Sequence, residues 1–320
     1  MAGKRLSFQL GMIPAVVAAI VIGALVSDAF LTPGNLLNVL QQSAELAILV
    51  IAETLILLTG KFDLSLESVV GFAPMLAAWL VLPSVLGGTE AIPAATGLIV
   101  LFGVGAAVGL LNGLMVTRLR LNAFITTLAV LILLRGATLG VADGRTLANL
   151  PPAFTYLGST SFVGLPFTVW IAAVLFAGVH LFLNYHRHGR AIYAVGGNPV
   201  AAHAAGIRVS RTVLAVFVVA GVLAALAGLL LTGRLAAVTA GQGQNMIFTV
   251  FAAAVIGGIS LNGGRGSVLG ALLGVLLLGV ISNILTLSQI STFWIDAANG
   301  AIILAALLIQ RATGEKSEET

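Results

Sequence analysis

The sequence predicts an all-α, polytopic membrane protein with about ten transmembrane helices. Three observations carry this. Hydrophobic residues make up 59% of the 320 residues and charged residues only 8%, whereas a soluble domain carries about 25% charged residues, so most of the surface has to meet lipid. Apolar runs of about 20 residues, the length that crosses a bilayer, recur along the chain. Lysine and arginine gather in the loops on one side of these runs, as the positive-inside rule describes.

The first run, 10–31, follows Lys4 and Arg5. It is longer than the 7–15 residues of about the usual signal-peptide core and lacks a small-residue cleavage site, so it reads as a retained span. Further spans are expected at 41–59, 66–86, 93–117, 122–141, 166–184, 212–233, 246–260, 267–287 and 293–309, the eighth of them short. Pro33-Gly34, Gly60, Gly87-Gly88, Pro151-Pro152, Gly196-Gly197 and Gly263-Gly264 break the chain between runs.

With the N-terminus inside and ten spans, twelve of the fifteen Lys and Arg residues fall in inner segments. Only Arg145 and Arg234 fall in outer loops, and Arg135 lies within the fifth span. Both termini are then expected to be cytoplasmic. Residues 1–312 form one transmembrane domain, and the polar tail 313–320 reads as disordered.

Two loops are long: an outer one over about 143–164 and an inner one over about 185–211. In the inner loop, Asn198 is placed to N-cap a short helix, with Pro199 at its first position and Gly206 at its end. A short helix outside the membrane is suited to docking on a soluble partner. Gly105, Gly109 and Gly113, and Gly270 and Gly274, repeat at spacing four. Such glycines line one helix face and let backbones approach, here for packing within the chain or at a subunit interface. The echo of Ser68-Val69-Val70-Gly71 in Ser267-Val268-Leu269-Gly270 is too short to define a repeat.

The net charge of +4 does not point to nucleic acid, because the basic residues form no patch with interleaved aromatics. There is no cysteine, which excludes disulfides and thiol chemistry. The Gly-Lys pairs, Gly3-Lys4 and Gly60-Lys61, do not fit a phosphate loop, so no cofactor is expected and any ATP hydrolysis belongs to another chain. Three of the four histidines, His186, His188 and His203, lie in the inner loop without metal-ligand spacing, and His180 reads as packed or interfacial.

Polar residues within the apolar runs are more informative, because such groups at membrane depth face a bundle interior or a water-filled cavity. Glu45, Glu53, Ser65, Asn112, Thr126, Thr127, Arg135 and Asn283 form the candidate translocation path, a hydroxyl, amide and carboxylate supply suited to a polyhydroxylated solute. Each has a structural alternative. Arg135 either pairs with Glu45 or Glu53, snorkels outward, or lines the path. Asp63 forms a local pair with Lys61, caps a helix or touches substrate. Asn112 bonds between helices or lines the path, and the two threonines bond their own helix backbone or line it.

Four segments in order carry a family resemblance. They are Leu58-Thr59-Gly60-Lys61-Phe62-Asp63-Leu64-Ser65; Gly109 to Gly113 with Asn122 to Leu128 and Arg135-Gly136; Gly189 to Pro199 with Ala201-Ala202 and Gly206-Ile207; and Ile256-Gly257-Gly258 with Gly263 to Ser267 and Asn283. Over about residues 35–310 the chain resembles the permease subunits of binding-protein-dependent ABC importers, in the branch carrying ribose, xylose, galactose and related compounds. Lys61 and Glu67 stand where the family usually has glycine, Ala205 where it often has serine, and Asn245 where an acidic residue is common.

The resemblance implies the ABC importer permease fold, with a coupling helix in the inner loop. Arg190, Gly197, Asn198, Ala201, Ala202, Gly206, Ile207 and Arg208 would then meet an ABC ATPase subunit. It also implies a second permease subunit, identical or different, and a periplasmic or lipid-anchored sugar-binding protein. The competing reading is an ion-coupled secondary transporter, drawn from Glu45, Glu53 and Arg135 at membrane depth. An intramembrane enzyme lacks its motifs: no paired aspartates for a diphosphate and no Ser/His dyad.

Overall fold

The computed structural model describes residues 2–291 and, beyond them, 294–295, 297–298, 300–301 and 304, with side chains from residue 12 onward. The expected tenth span and the tail 313–320 therefore lie largely or wholly outside the described residues, as do Asp296, Asn299, Arg311 and Lys316.

Among the described residues twelve α-helices carry the fold: α1 Ala2–Val26, α2 Pro33–Leu58, α3 Leu66–Val81, α4 Ala94–Thr117, α5 Ala123–Val141, α6 Pro152–Ser159, α7 Phe167–Tyr185, α8 Arg187–Gly197, α9 Pro199–Ala204, α10 Val209–Leu235, α11 Met246–Ile256 and α12 Val268–Leu287. Each of the first nine expected spans coincides with one of these. Six helices, α2, α4, α5, α7, α10 and α12, are long and apolar enough to cross a membrane. The apolar stretches of α1, α3 and α11 are shorter. The outcome is a mostly helical polytopic architecture.

α2 is the axis of the bundle. From Ile48 to Ala52 and from Ile56 to Leu58 its side chains are wholly buried, and it packs against α7, α10, α11 and α12. A helical stretch that is apolar on nearly every side belongs in such a core. The glycine series on α4 faces α10: a Cβ at Gly105 would run into the Gly221 carbonyl, and one at Gly109 into the Phe217 carbonyl. Gly270 and Gly274 do the same toward Gly257 and Ala253. These glycines serve packing inside the chain, where close backbone approach replaces the hydrophobic drive that lipid removes.

Several expectations are corrected. The third span ends at Val81, where Leu82 turns extended before Pro83, since the residue before a proline leaves the helical region. The eighth ends at Ile256, because Gly258 adopts φ 81°. The expected outer loop contains α6 and one strand of each of two antiparallel two-residue ladders, whose partner strands lie beyond it. Leu147–Ala148 (β1) pairs with Ala237–Val238 (β4), and Ser161–Phe162 (β2) with Leu165–Pro166 (β3). The inner loop holds two helices rather than one, α8 as well as α9.

Candidate translocation path and coupling surface

α2 and α3 are joined by non-helical backbone inside the bundle, and four of the eight expected path residues, Glu53, Ser65, Asn112 and Thr127, make hydrogen bonds at that break. Backbone at membrane depth needs internal hydrogen-bond partners, each orphaned group costing several kcal/mol. Here side chains supply them. Asp63 N–H donates to Glu53 Oε1 at 3.4 Å, Leu64 N–H to Thr127 Oγ1 at 3.1 Å, and Ser65 N–H to Asp63 Oδ1 at 2.9 Å. Ser65 Oγ also donates to Asp63 Oδ1 (2.6 Å), and Asn112 Nδ2 donates to Ser65 Oγ at 2.8 Å and to Asp63 Oδ2 at 3.3 Å. Glu53, Asp63, Ser65, Asn112 and Thr127 are all essentially buried. Thr127 Oγ1 donates back to Ala123 O (2.9 Å), and Thr126 is buried beside it. Asp63 forms no ion pair with Lys61 among the described residues.

Two ion pairs occur among the described residues, and neither is one the sequence suggested. Arg234, in the last turn of α10 rather than a free outer loop, grips Glu45 with both arms: Nε to Oε1 at 2.8 Å and Nη2 to Oε2 at 3.0 Å. Arg135 pairs with Glu67, not with Glu45 or Glu53. The break explains this. Leu64 bonds Thr127, and Ser68 Oγ donates to Leu131 O at 2.9 Å, so α3 starts partway along α5. Glu67 is thereby level with Arg135. Glu67 Oε2 also accepts from Ile247 N–H (3.2 Å), capping the start of α11.

The segment between α10 and α11 forms a second break against α3. Gln242 holds it, its amide donating to Val70 O, Thr232 Oγ1 and Gly228 O at 3.0, 3.0 and 3.2 Å. A small opening of about 20 Å³ lies where this segment meets α3 and α5, and Glu67, Ser68, Arg135, Thr138, Gln242 and Gln244 line it. Of the expected path residues only Arg135 reaches this opening; its side chain is 39% exposed. Asn283 is elsewhere, exchanging reciprocal amide hydrogen bonds with Asn35 at 2.8 and 2.9 Å and locking α12 to α2.

At the other candidate site, Asn198 Oδ1 accepts from Val200 N–H and Ala201 N–H, both at 3.0 Å, capping α9 as its spacing foretold. Gly206 (φ 82°) closes α9, with Ile207 N–H bonded to Ala202 O at 3.0 Å. Ala202 and Ile207 turn inward to different degrees, while Gly197, Asn198, Ala201, Gly206 and Arg208 are exposed. Arg190 is exposed too but has a local task, donating to the α7 end carbonyl of Tyr185 at 2.9 Å.

α8 ends in a joint made of backbone. A Cβ at Gly196 would collide with Leu58 O, and Gly264 N–H donates to that same carbonyl at 3.0 Å. Tyr193 Oη donates to Gly266 O at 3.1 Å. The root of α9 is thus fastened to the end of α2 and to the turn before α12.

Six helices long and apolar enough to cross a membrane, packed in one bundle with internal breaks, define a multi-pass membrane protein. Residues 35–309 match the family described as "Branched-chain amino acid transport system / permease component", and the chain belongs to it. Curated relatives include the ribose import permease protein of Haemophilus influenzae, 34% identical over 306 residues that cover 94% of this chain and 93% of the relative. The ribose import permease protein of Escherichia coli K12 is 34% identical over 299 residues, 92% and 91% of the two chains. An L-arabinose ABC transporter permease protein of Azospirillum brasilense is 32% identical over 285 residues, 88% and 81%. No solved structure matches. The protein is therefore a multi-pass membrane transport component.

Proposed function

We propose that this chain is the membrane-spanning permease subunit of an ATP-binding-cassette importer that carries a monosaccharide or related polyol across a bacterial inner membrane. Similarity to ribose import permeases over more than nine-tenths of both chains is the observation that carries this reading. It favours an ATP-driven importer over an ion-coupled carrier. Energy comes from a separate ATPase subunit that seats α9, and a sugar-binding protein delivers solute to the outer face. A second permease subunit completes the pore, and both termini are cytoplasmic.

The coupling role of α9 rests on its shape and attachments. It is short, capped at both ends and exposed on one side, with Val200 78% exposed. Its root is locked to α2 through the Gly196 joint. Force applied to α9 therefore reaches the bundle axis through backbone contacts rather than flexible side chains. ATP binding on the partner then shifts the bundle between inward and outward states.

The test is uptake of radiolabelled ribose and L-arabinose into proteoliposomes. Accumulation is expected only when the ATPase, ATP and the binding protein are all present. Gly206→Val, strained at φ 82°, is expected to lower uptake at least tenfold, with ATPase hydrolysis no longer stimulated by the loaded binding protein. Accumulation by the chain alone under a proton or sodium gradient overturns the reading.

A further inference from the structure

Arg135 lies twelve residues into α5, about 18 Å along the helix at 1.5 Å per residue, well inside a hydrocarbon core of about 30 Å. A guanidinium that is 39% exposed at that depth is costly against lipid and belongs on a bundle interior or a water-filled cavity. A second observation points to the same face independently. Gly241, Gln244 and Asn245 are exposed and non-helical, yet Glu67 ties their segment to Arg135 by accepting from both Ile247 N–H and the guanidinium. Irregular backbone at membrane depth is tolerated only where protein buries it or where it lines water.

We propose that the face formed by Arg135 and the 241–245 segment lines the water-filled path, and that the polar groups at its small opening contact the hydroxyls of a neutral polyhydroxylated solute passing over it. The proposal rests on the importer reading and adds the place and the chemistry of the solute contact. Charge decides the chemistry. Glu67 balances Arg135, and both Glu67 oxygens are taken. The other lining groups, Ser68, Thr138, Gln242 and Gln244, are uncharged. The opening thus has no surplus charge for a carboxylate or an ammonium, as an amino acid would need. The Gln242 amide N–H groups are spent on its own segment. The Gln244 side chain and the outer guanidinium N–H groups make no hydrogen bond among the described residues. They are the groups left to bond hydroxyls, and a hydroxyl both accepts and donates.

The absence of native cysteine makes the test clean. Gln244→Cys, in the full transporter in native membranes, is expected to react with a charged, membrane-impermeant methanethiosulfonate when the reagent is offered from both sides. Excess ribose or L-arabinose during ATP-driven turnover is expected to slow that reaction at least threefold, and leucine is expected to have no effect. Leu133→Cys, on an apolar exposed stretch of α5, is the lipid-facing control and should react only with a lipophilic maleimide. Arg135→Lys keeps the charge but loses the planar fork, and should lower pentose uptake at least tenfold. Gln244→Cys reacting only with the lipophilic reagent overturns the pore-face assignment. Charged-reagent labelling slowed by leucine rather than by pentose, or by neither, overturns the solute chemistry. Neither result bears on ATP dependence, which the proteoliposome assay reads separately.

Discussion

The two buried glutamates that hold arginines, Glu45 and Glu67, are 3% and 2% exposed at their side chains, but their partners differ. Arg234 closes on Glu45 with two parallel hydrogen bonds at the end of α10, which packs on α6. Arg135 holds Glu67 through one nitrogen and lines the small opening. The Glu45 pair completes a packed corner, since a bidentate fork leaves little free guanidinium to offer a solute. The Glu67 pair sits between two breaks in the helical backbone and keeps donors in reserve. Residue type is the same in both; what separates a fastening from a contact surface is what the neighbouring backbone does.

The largest expected effect falls on the closed pair. Glu45→Ala leaves Arg234 without its partner in the bundle, and breaking a buried pair from one side costs about 3–5 kcal/mol. The yield of folded protein and its thermal midpoint in detergent should both fall, and the charge-swapped double variant Glu45→Arg with Arg234→Glu should recover part of the loss. No loss with Glu45→Ala would remove the contrast. A smaller effect sharpens it: Arg234→Lys gives up the planar fork at a cost of about 1–2 kcal/mol. It should lower the midpoint while leaving uptake per folded molecule unchanged, the reverse of what Arg135→Lys should do.

The spans were legible because lipid imposes a length and a composition that local sequence carries. The runs and the glycine or proline breaks set nine helices near their observed positions, and Asn198-Pro199 announced α9. α8 was missed because Gly189, Gly196 and Gly197 look like loop residues. In the fold, Gly189, Ile192 and Val195 form one buried face, and Gly196 is required for contact with Leu58. The pairing of Arg135 was hidden for another reason. It depends on how deeply α3 starts, and that depth is set by hydrogen bonds from the break to Glu53, Thr127 and Asn112, residues far apart in sequence. The same bonds give those polar residues structural partners: Glu53 and Thr127 accept from backbone N–H groups of the break, and Asn112 donates to its side chains.

The central claim is that α8 and α9 form a handle on the cytoplasmic side, worked by a separate motor subunit. Single cysteines at Ser161 and His203 test it most directly, since both positions are exposed and the native chain has no cysteine. In intact cells a membrane-impermeant maleimide should label Ser161→Cys and spare His203→Cys, and in inside-out vesicles the pattern should reverse. Labelling of His203→Cys from outside intact cells would contradict the account.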